Sequence, residues 1–180
     1  MHKKLRKNSG FTIIELIIVI GMISILSAIA IPSLMKWMPN YRLKAEARNL
    51  YSNMQKAKIE AVKRKQDVLI SFVTGTYDPD GQIGSYQVFV HSDTNNDGNY
   101  DSGEIGQILI QKNMPKNVTL YFNNFSVNSV ANTAGYNSRG LPAGTWGNVR
   151  LRNNQSRYYE LEMSPAGVVK ISQNIDGTFP

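Results

Sequence analysis

The chain of 180 residues contains no cysteine and only two histidines, His2 and His91. Without cysteine it has neither a disulfide framework nor a thiol nucleophile, so its fold must be stabilised by packing, by hydrogen bonding or by a bound metal. A histidine-based catalytic triad would depend on His91, because His2 belongs to a short basic leader. The sequence also lacks a glycine-rich phosphate loop and a cluster of metal-binding histidines. It therefore predicts a protein that is not an enzyme.

The formal net charge of +7 is distributed unevenly along the chain. The first ten residues include four basic residues and no acidic residue. Residues 36–65 include nine basic and two acidic residues, whereas residues 66–180 include seven basic and ten acidic residues. The positive charge thus belongs to the amino-terminal third, and the carboxyl-terminal part is mildly acidic.

An apolar segment runs from Phe11 to Ile31 and contains a single ionisable residue, Glu15. Its length matches the roughly 20 residues that a helix needs to cross the hydrocarbon core of a bilayer. A carboxylate inside such a segment normally has a partner, so we predict a functional role for Glu15. By the positive-inside rule, the basic leader keeps the amino end in the cytoplasm, and the chain after Pro32 crosses the membrane.

The basic leader, Gly10, Phe11, Thr12, Glu15 and the long apolar segment together resemble the class III signal of type IV pilins and pseudopilins. This resemblance implies that a prepilin peptidase cleaves the chain after Gly10 and methylates the new amino terminus at Phe11. It also implies that Glu15 pairs with the amino terminus of a neighbouring subunit. A buried carboxylate and a buried amine can satisfy each other in lipid, so the parts of this motif are chemically coupled.

A second helical pattern follows the apolar segment. Its apolar residues recur at intervals of three and four, at Leu43, Ala47, Leu50, Met54, Ala57 and Ala61. This spacing predicts an amphipathic helix that packs one stripe against the same chain and carries basic residues on its other faces. We expect Pro32 and Pro39 to bend or loosen the helix, which should end near Lys65.

Beyond Lys65, β-branched and aromatic runs separated by turn residues replace the helical period. They predict strands at residues 68–73, 86–91, 108–111, 118–122, 149–152, 158–163 and 168–172. Alternation is clearest in residues 158–163 and 149–152, as is typical of antiparallel strands with one solvated face.

Residues 134–142, 147–151 and 163–171 resemble the carboxyl-terminal half of the GspH/FimT subfamily of pseudopilins. With the amino-terminal motif, the resemblance implies an α+β, type IV pilin-like fold, in which a long amino-terminal helix packs on an antiparallel β-sheet head. We expect four parts: a cleaved leader (1–10), a transmembrane and filament-core helix (11–32), an amphipathic stem (33–66) and an antiparallel β head (67–180).

The loop from Asp93 to Glu104 fits the twelve-residue calcium-loop template, with Gly98 at its sharp turn. The oxygen ligands would be Asp93, Asn95, Asp97, Asn99, Asp101 and Glu104. However, the loop lies between predicted strands rather than helices, and the same residue types form ordinary turns. Comparable acidic turns in the GspH/FimT subfamily need not hold metal. The loop is therefore either a calcium site or a solvated turn, and no other cofactor is expected.

DNA-binding members of the subfamily carry arginines just after the glycine that corresponds to Gly167, where this chain has Val168, Val169 and Lys170. This departure weakens a DNA-binding interpretation, because affinity for nucleic acid depends on clustered cations. The remaining candidates for phosphate contacts are Arg139, Arg150, Arg152, Arg157 and Lys170. Arg150 and Arg152 alternate on one predicted strand, which is also the pattern of an ordinary solvated face.

The resemblance implies a minor pseudopilin or minor pilin that helps to start or cap a filament for type II secretion or a type IV pilus. Its partners would be other pilins or pseudopilins, the prepilin peptidase and the inner-membrane assembly platform. The protein would lie in the bacterial inner membrane, with its head in the periplasm, before it enters the filament. The alternatives are a DNA-binding minor pilin for natural transformation and a major pilin.

Overall fold

The computed structural model describes residues 11–78 and 82–174. These residues form helix α1 (Ile13–Arg64) followed by ten strands, and they divide into two compact units. The first unit ends at Met38, and the second begins at Pro39. The helical assignment continues through Pro32 and Pro39, so neither proline ends the helix.

Among the described residues of the first unit, those from Ile13 to Met38 are helical, and their side chains are nearly all exposed. By length and composition, α1 includes a stretch that is apolar enough to cross a membrane. Within this apolar stretch, a polar side chain finds its hydrogen-bond partner in the helix itself, because the Ser24 hydroxyl donates to the Ile20 carbonyl at 2.8 Å. Internal satisfaction of this kind suits a helix in a solvent that offers no hydrogen bonds.

The second unit contains the rest of α1 and all ten strands. The strands are β1 (Val68–Val73), β2 (Ser85–His91), β3 (Ile105–Asn113), β4 (Val118–Asn123), β5 (Ser126–Val127), β6 (Val130–Ala131), β7 (Thr133–Tyr136), β8 (Gly147–Asn153), β9 (Tyr158–Met163) and β10 (Val169–Asn174). They form two four-stranded antiparallel sheets, ordered β3-β2-β1-β7 and β10-β9-β8-β4, and a small β5-β6 ribbon. The sequence patterns predict seven of these strands, and β5, β6 and β7 are additional.

The hydrophobic core lies between the helix and the two sheets. The predicted apolar stripe of α1, from Leu43 to Ala61, is completely buried and packs with apolar residues of both sheets. A smaller cluster joins Leu69, Phe89, Tyr100 and Val127. Every buried apolar core residue among the described residues lies at or after Leu43, so the second unit contains a complete core of its own.

Polar contacts fix the part of the helix after Pro39 to the strands and turns. Asn53 Nδ2 donates to the Tyr86 hydroxyl at 2.7 Å, and Lys58 Nζ donates to the Gly167 carbonyl at 3.1 Å. Between the buried stripe and β3, Glu46 pairs with Lys112 at 3.5 Å. The Glu46 side chain is only 9% exposed, whereas the Lys112 side chain is 40% exposed. This pair therefore places one nearly buried charge next to the core.

Replacing Lys112 by methionine should lower the free energy of unfolding of a fragment comprising residues 39–180 by about 1 to 2 kcal/mol, because Glu46 stays buried without its cation. Urea titration followed by circular dichroism measures this loss. Lys170→Met, at an exposed position of β10, serves as the control and should change little. Equal stability of the two variants would contradict a role for the ion pair.

Candidate functional site

The start of α1 is built by Thr12. Its hydroxyl oxygen accepts the backbone N–H of Glu15 at 3.3 Å, and its carbonyl accepts the N–H of Leu16 at 3.2 Å. Thr12 is thus the amino-terminal cap of the helix, and Glu15 is the third helical residue. A threonine followed three residues later by glutamate is also the sequence pattern of a capping box, so the sequence itself marks this helix start. An acidic residue in the first turn also faces the positive end of the helix dipole.

The processing and assembly residues of the sequence motif lie at this end of the chain. Gly10 lies outside the described residues. Phe11, the predicted new amino terminus, is 83% exposed, and Glu15 is also exposed. Cleavage after Gly10 and pairing of Glu15 stay predictions, because both need a partner molecule.

The loop of residues 93–104, which we call the acidic loop, is held together by hydrogen bonds to the buried carboxylate of Glu104. One of its carboxylate oxygens accepts the N–H and the hydroxyl of Thr94 at 3.0 and 2.9 Å. The other accepts the N–H of Asp101 at 3.0 Å and lies 3.2 Å from Nε2 of His91. The His91 ring in turn meets the Tyr100 ring edge to face at 5.6 Å. Glu104, the predicted last calcium ligand, is thus buried and turned towards donors of the loop itself.

The other predicted ligands hold the exposed part of the loop. Asp93 accepts the backbone N–H groups of Asp97 and Gly98, and Asp97 accepts that of Asn99. The Asn95 amide donates to the carboxylates of Asp97 and Asp101 at 3.2 and 3.1 Å. Within residues 11–78 and 82–174, no group of three or more histidine, aspartate or glutamate side chains is arranged to hold a metal ion. Calcium binding stays a prediction, and hydrogen bonds among the loop residues account for the geometry seen.

Loop stability should depend on the ionisation of Glu104. The N–H of Asp101, together with the bonds from His91 and Thr94, lowers the pKa of Glu104 from 4.5 to about 2. Because the folded pKa lies below the unfolded one, the stabilisation is present above pH 4.5 and is lost as the pH falls towards about 2. Glu104→Gln should therefore be less stable than the wild type at pH 7, and the difference should shrink on acidification.

The measurement is the urea midpoint of the 39–180 fragment between pH 7 and pH 3. Glu162→Gln is the matched control, since Glu162 is exposed on β9. The control should follow the pH profile of the wild type. If Glu104→Gln followed it equally closely, the loop bonds to Glu104 would not contribute to stability.

The cation candidates do not form one binding surface. Strand register places Arg150, Arg152 and Lys170 on the same face of the second sheet. However, Arg150 Nε donates to Glu160, and its guanidinium lies 4.8 Å from the Phe122 ring centroid.

Arg152 packs between two rings, with its guanidinium 3.9 Å from the Tyr77 centroid and 5.4 Å from the Tyr158 centroid. Arg139 lies elsewhere, in the turn between β7 and β8, where its N–H donates to Asn137. Packing and ion pairing thus already engage the two strand arginines, which disfavours the DNA-binding interpretation.

Comparison with known proteins identifies the family. The profile described as Type II transport protein GspH matches residues 46–167, about two thirds of the chain. The chain belongs to the GspH family. The profile of the prokaryotic N-terminal methylation motif also matches, over residues 5–31, a range that includes Gly10, Phe11 and Glu15. Among curated protein sequences, none matches the chain.

Solved structures resemble this GspH-family chain. The type IV minor pilin FimU of Pseudomonas aeruginosa is 19% identical, with a TM-score of 0.50, covering 74% of this chain and 90% of FimU. The minor pseudopilin EpsH of Vibrio cholerae is 13% identical, with a TM-score of 0.47, covering 73% of this chain and 96% of EpsH. The likeness to FimU confirms the predicted α+β, type IV pilin-like fold.

Proposed function

We propose that this GspH-family protein is a minor pseudopilin or minor pilin that helps to start or cap a filament of a type II secretion system or a type IV pilus. This proposal rests on the occurrence of two features together in one chain. A capped apolar helix with Glu15 in its first turn coincides with the methylation motif, and a GspH-type head follows it.

The same features support a topology and a processing route. The basic leader keeps the amino end in the cytoplasm, the apolar segment spans the inner membrane, and the head lies in the periplasm. A prepilin peptidase cleaves after Gly10 and methylates Phe11, and the inner-membrane assembly platform receives the subunit. The protein acts as the substrate of an enzyme, and it catalyses no reaction of its own.

Assembly follows from the chemistry of Phe11 and Glu15. The apolar helix leaves lipid only where helices of other pilins or pseudopilins replace the lipid. The protonated amine of Phe11 on one subunit neutralises Glu15 on its neighbour as the subunit is added. This pairing selects correctly placed subunits, since an unpaired buried charge is heavily penalised.

The decisive experiment is intact-mass analysis of the protein purified from its own membranes together with its co-purifying partners. We expect a mass that corresponds to a chain beginning at methylated Phe11, accompanied by secretion-system or pilus subunits. The identity of those subunits decides between secretion and pilus assembly. A mass that retains the leader, without such partners, would overturn the proposal.

A further inference from the structure

Two turns of the second unit lie beside the helix residues that follow Pro39. Asn153 Nδ2 donates to Asn40 Oδ1 at 2.8 Å, which ties the β8–β9 turn to the helix. Arg42 Nη1 donates to Asn117 Oδ1 at 3.4 Å, which ties the β3–β4 turn to the same part of the helix. Asn153 is fully buried, and its side-chain oxygen also accepts the N–H groups of Gln155 and Arg157. These hydrogen bonds hold both turns against the helix and give this end of the unit a defined surface.

Cations from three segments gather at this end. The proximal cation cluster, as we call it, comprises Arg42 with its helix neighbours Lys44 and Arg48, Lys116 next to Asn117 in the β3–β4 turn, and Arg157 of the β8–β9 turn, whose N–H donates to Asn153. Lys44, Arg48 and Lys116 are exposed. Glu46 does not offset the cluster, because it is buried and pairs with Lys112. Asp78 adds one carboxylate next to Tyr77, which packs on Arg152, so positive charge remains in excess.

Carboxylates gather instead around the carboxyl end of the helix. There, Arg64 Nη1 donates to Gln107 of β3 at 2.7 Å, and the backbone of Ser138 donates to Asp67. The acidic loop, with exposed Asp97 and Asp101, begins directly after β2. Lys63 and Arg64 of the last helical turn and Lys65 lie at that end too, so charges of both signs meet there, whereas cations are in excess at the end near Pro39.

We propose that the proximal cation cluster binds the anionic head groups of the lipid bilayer into which the apolar segment inserts. Only residues 32–38 separate that segment from Pro39, so the basic end of the unit is the end tethered closest to the bilayer. Each lysine or arginine near an anionic membrane surface increases binding by about fivefold. Exposed Tyr41 adds an aromatic side chain of the kind that favours the membrane interface.

This inference rests on the proposed membrane insertion but not on membership of a filament. The proposed cleavage removes the four cations of the leader, after which the cluster provides the nearest basic groups that follow the apolar segment, together with Lys36. Lipid contact then helps to hold the head at the membrane surface until assembly draws the subunit out.

The test uses the full chain in nanodiscs of phosphatidylcholine, with and without about one third phosphatidylglycerol, at low salt. Amine acetylation followed by mass spectrometry reports the labelling rate of each lysine. We expect the anionic lipid to slow labelling of Lys44 and Lys116 at least threefold, while Lys63 and Lys65 keep their rates. High salt should remove the protection, because ions screen exposed charges.

Paired variants make the test specific. Arg48→Gln with Arg157→Gln removes two cluster charges and should remove most of the protection of Lys44 and Lys116. The matched control, Lys63→Gln with Lys65→Gln, removes two charges at the opposite end and should leave that protection intact.

Three results would overturn the inference. The first is equal labelling of Lys44 and Lys116 in the two kinds of nanodisc, and the second is protection that extends equally to Lys63 and Lys65. The third is protection by duplex DNA on neutral nanodiscs without an effect of phosphatidylglycerol, which would assign the cluster to nucleic acid. Filament incorporation is measured separately, so failure of the proposed function would not imitate any of these results.

Discussion

Replacing Glu15 by leucine should reduce incorporation of the subunit into filaments at least tenfold while leaving the amount in the membrane largely unchanged. The substitution improves the fit of the helix to lipid but removes the counter-charge that the proposed pairing supplies to the amine of Phe11. Quantitative mass spectrometry of sheared filaments and of membranes gives the ratio that checks this expectation.

Two variants separate charge from shape at this position. Glu15→Gln keeps the size of the side chain and should be impaired almost as strongly, because the ion pair needs the carboxylate. Ile14→Leu changes only the adjacent apolar side chain and should behave as the wild type does. An unchanged filament yield for Glu15→Leu would exclude charge pairing as the basis of assembly.

Replacing Gly135 by valine should destabilise the 39–180 fragment by more than about 3 kcal/mol and prevent cooperative folding. Gly135 lies on β7 opposite Leu69 of β1. A Cβ added there would stand 2.9 Å from the Val68 carbonyl oxygen and would collide with the Leu69 side chain. Both neighbours belong to a completely buried strand segment and have no room to move.

Thermal and urea unfolding of the fragment, followed by circular dichroism, measure this effect. Ala131→Val adds two methyl groups at an exposed position of neighbouring β6 and should change stability by less than about 0.5 kcal/mol. A Gly135→Val variant that unfolded at the midpoint of the control would show that β7 can move away from β1 without cost.

The helix and the regular strands follow from local patterns. The apolar stripe of α1 has the helical period, and its predicted residues are all buried. The strands at residues 68–73 and 158–163 have the predicted bounds, because β-branched or alternating side chains fill them from end to end. In these segments, intrinsic preference and tertiary burial favour the same structure.

Other strands depend on partners that are distant in the sequence. β7 contains only Thr, Ala, Gly and Tyr, and pairing with β1 makes it a strand despite its weak intrinsic preference. Likewise β3 extends from Ile105 to Asn113, beyond the predicted residues 108–111, because β2 pairs with its flanks. Such pairing is invisible in a local pattern.

At the candidate sites, too, local sequence patterns predict some features, and only the folded structure reveals the others. The spacing of the acidic loop selects the residues that organise it, including Glu104, but not the direction of each side chain. The alternation of Arg150 and Arg152 indicates a common face, which strand register bears out. The Glu160 carboxylate that engages Arg150 belongs to the next strand, so only the pairing of β8 with β9 reveals the contact.

Because the core begins at Leu43, the two parts of the chain can evolve under separate constraints. Substitutions that reshape the outer loops leave Gly10, Phe11 and Glu15 untouched, and the processing signal can be conserved without regard to the packing of the sheets. Under the proposed function, a single peptidase can then process subunits whose surfaces have diverged. A chimera that joins residues 1–38 of a related subunit to residues 39–180 of this chain should accordingly keep a fully packed head.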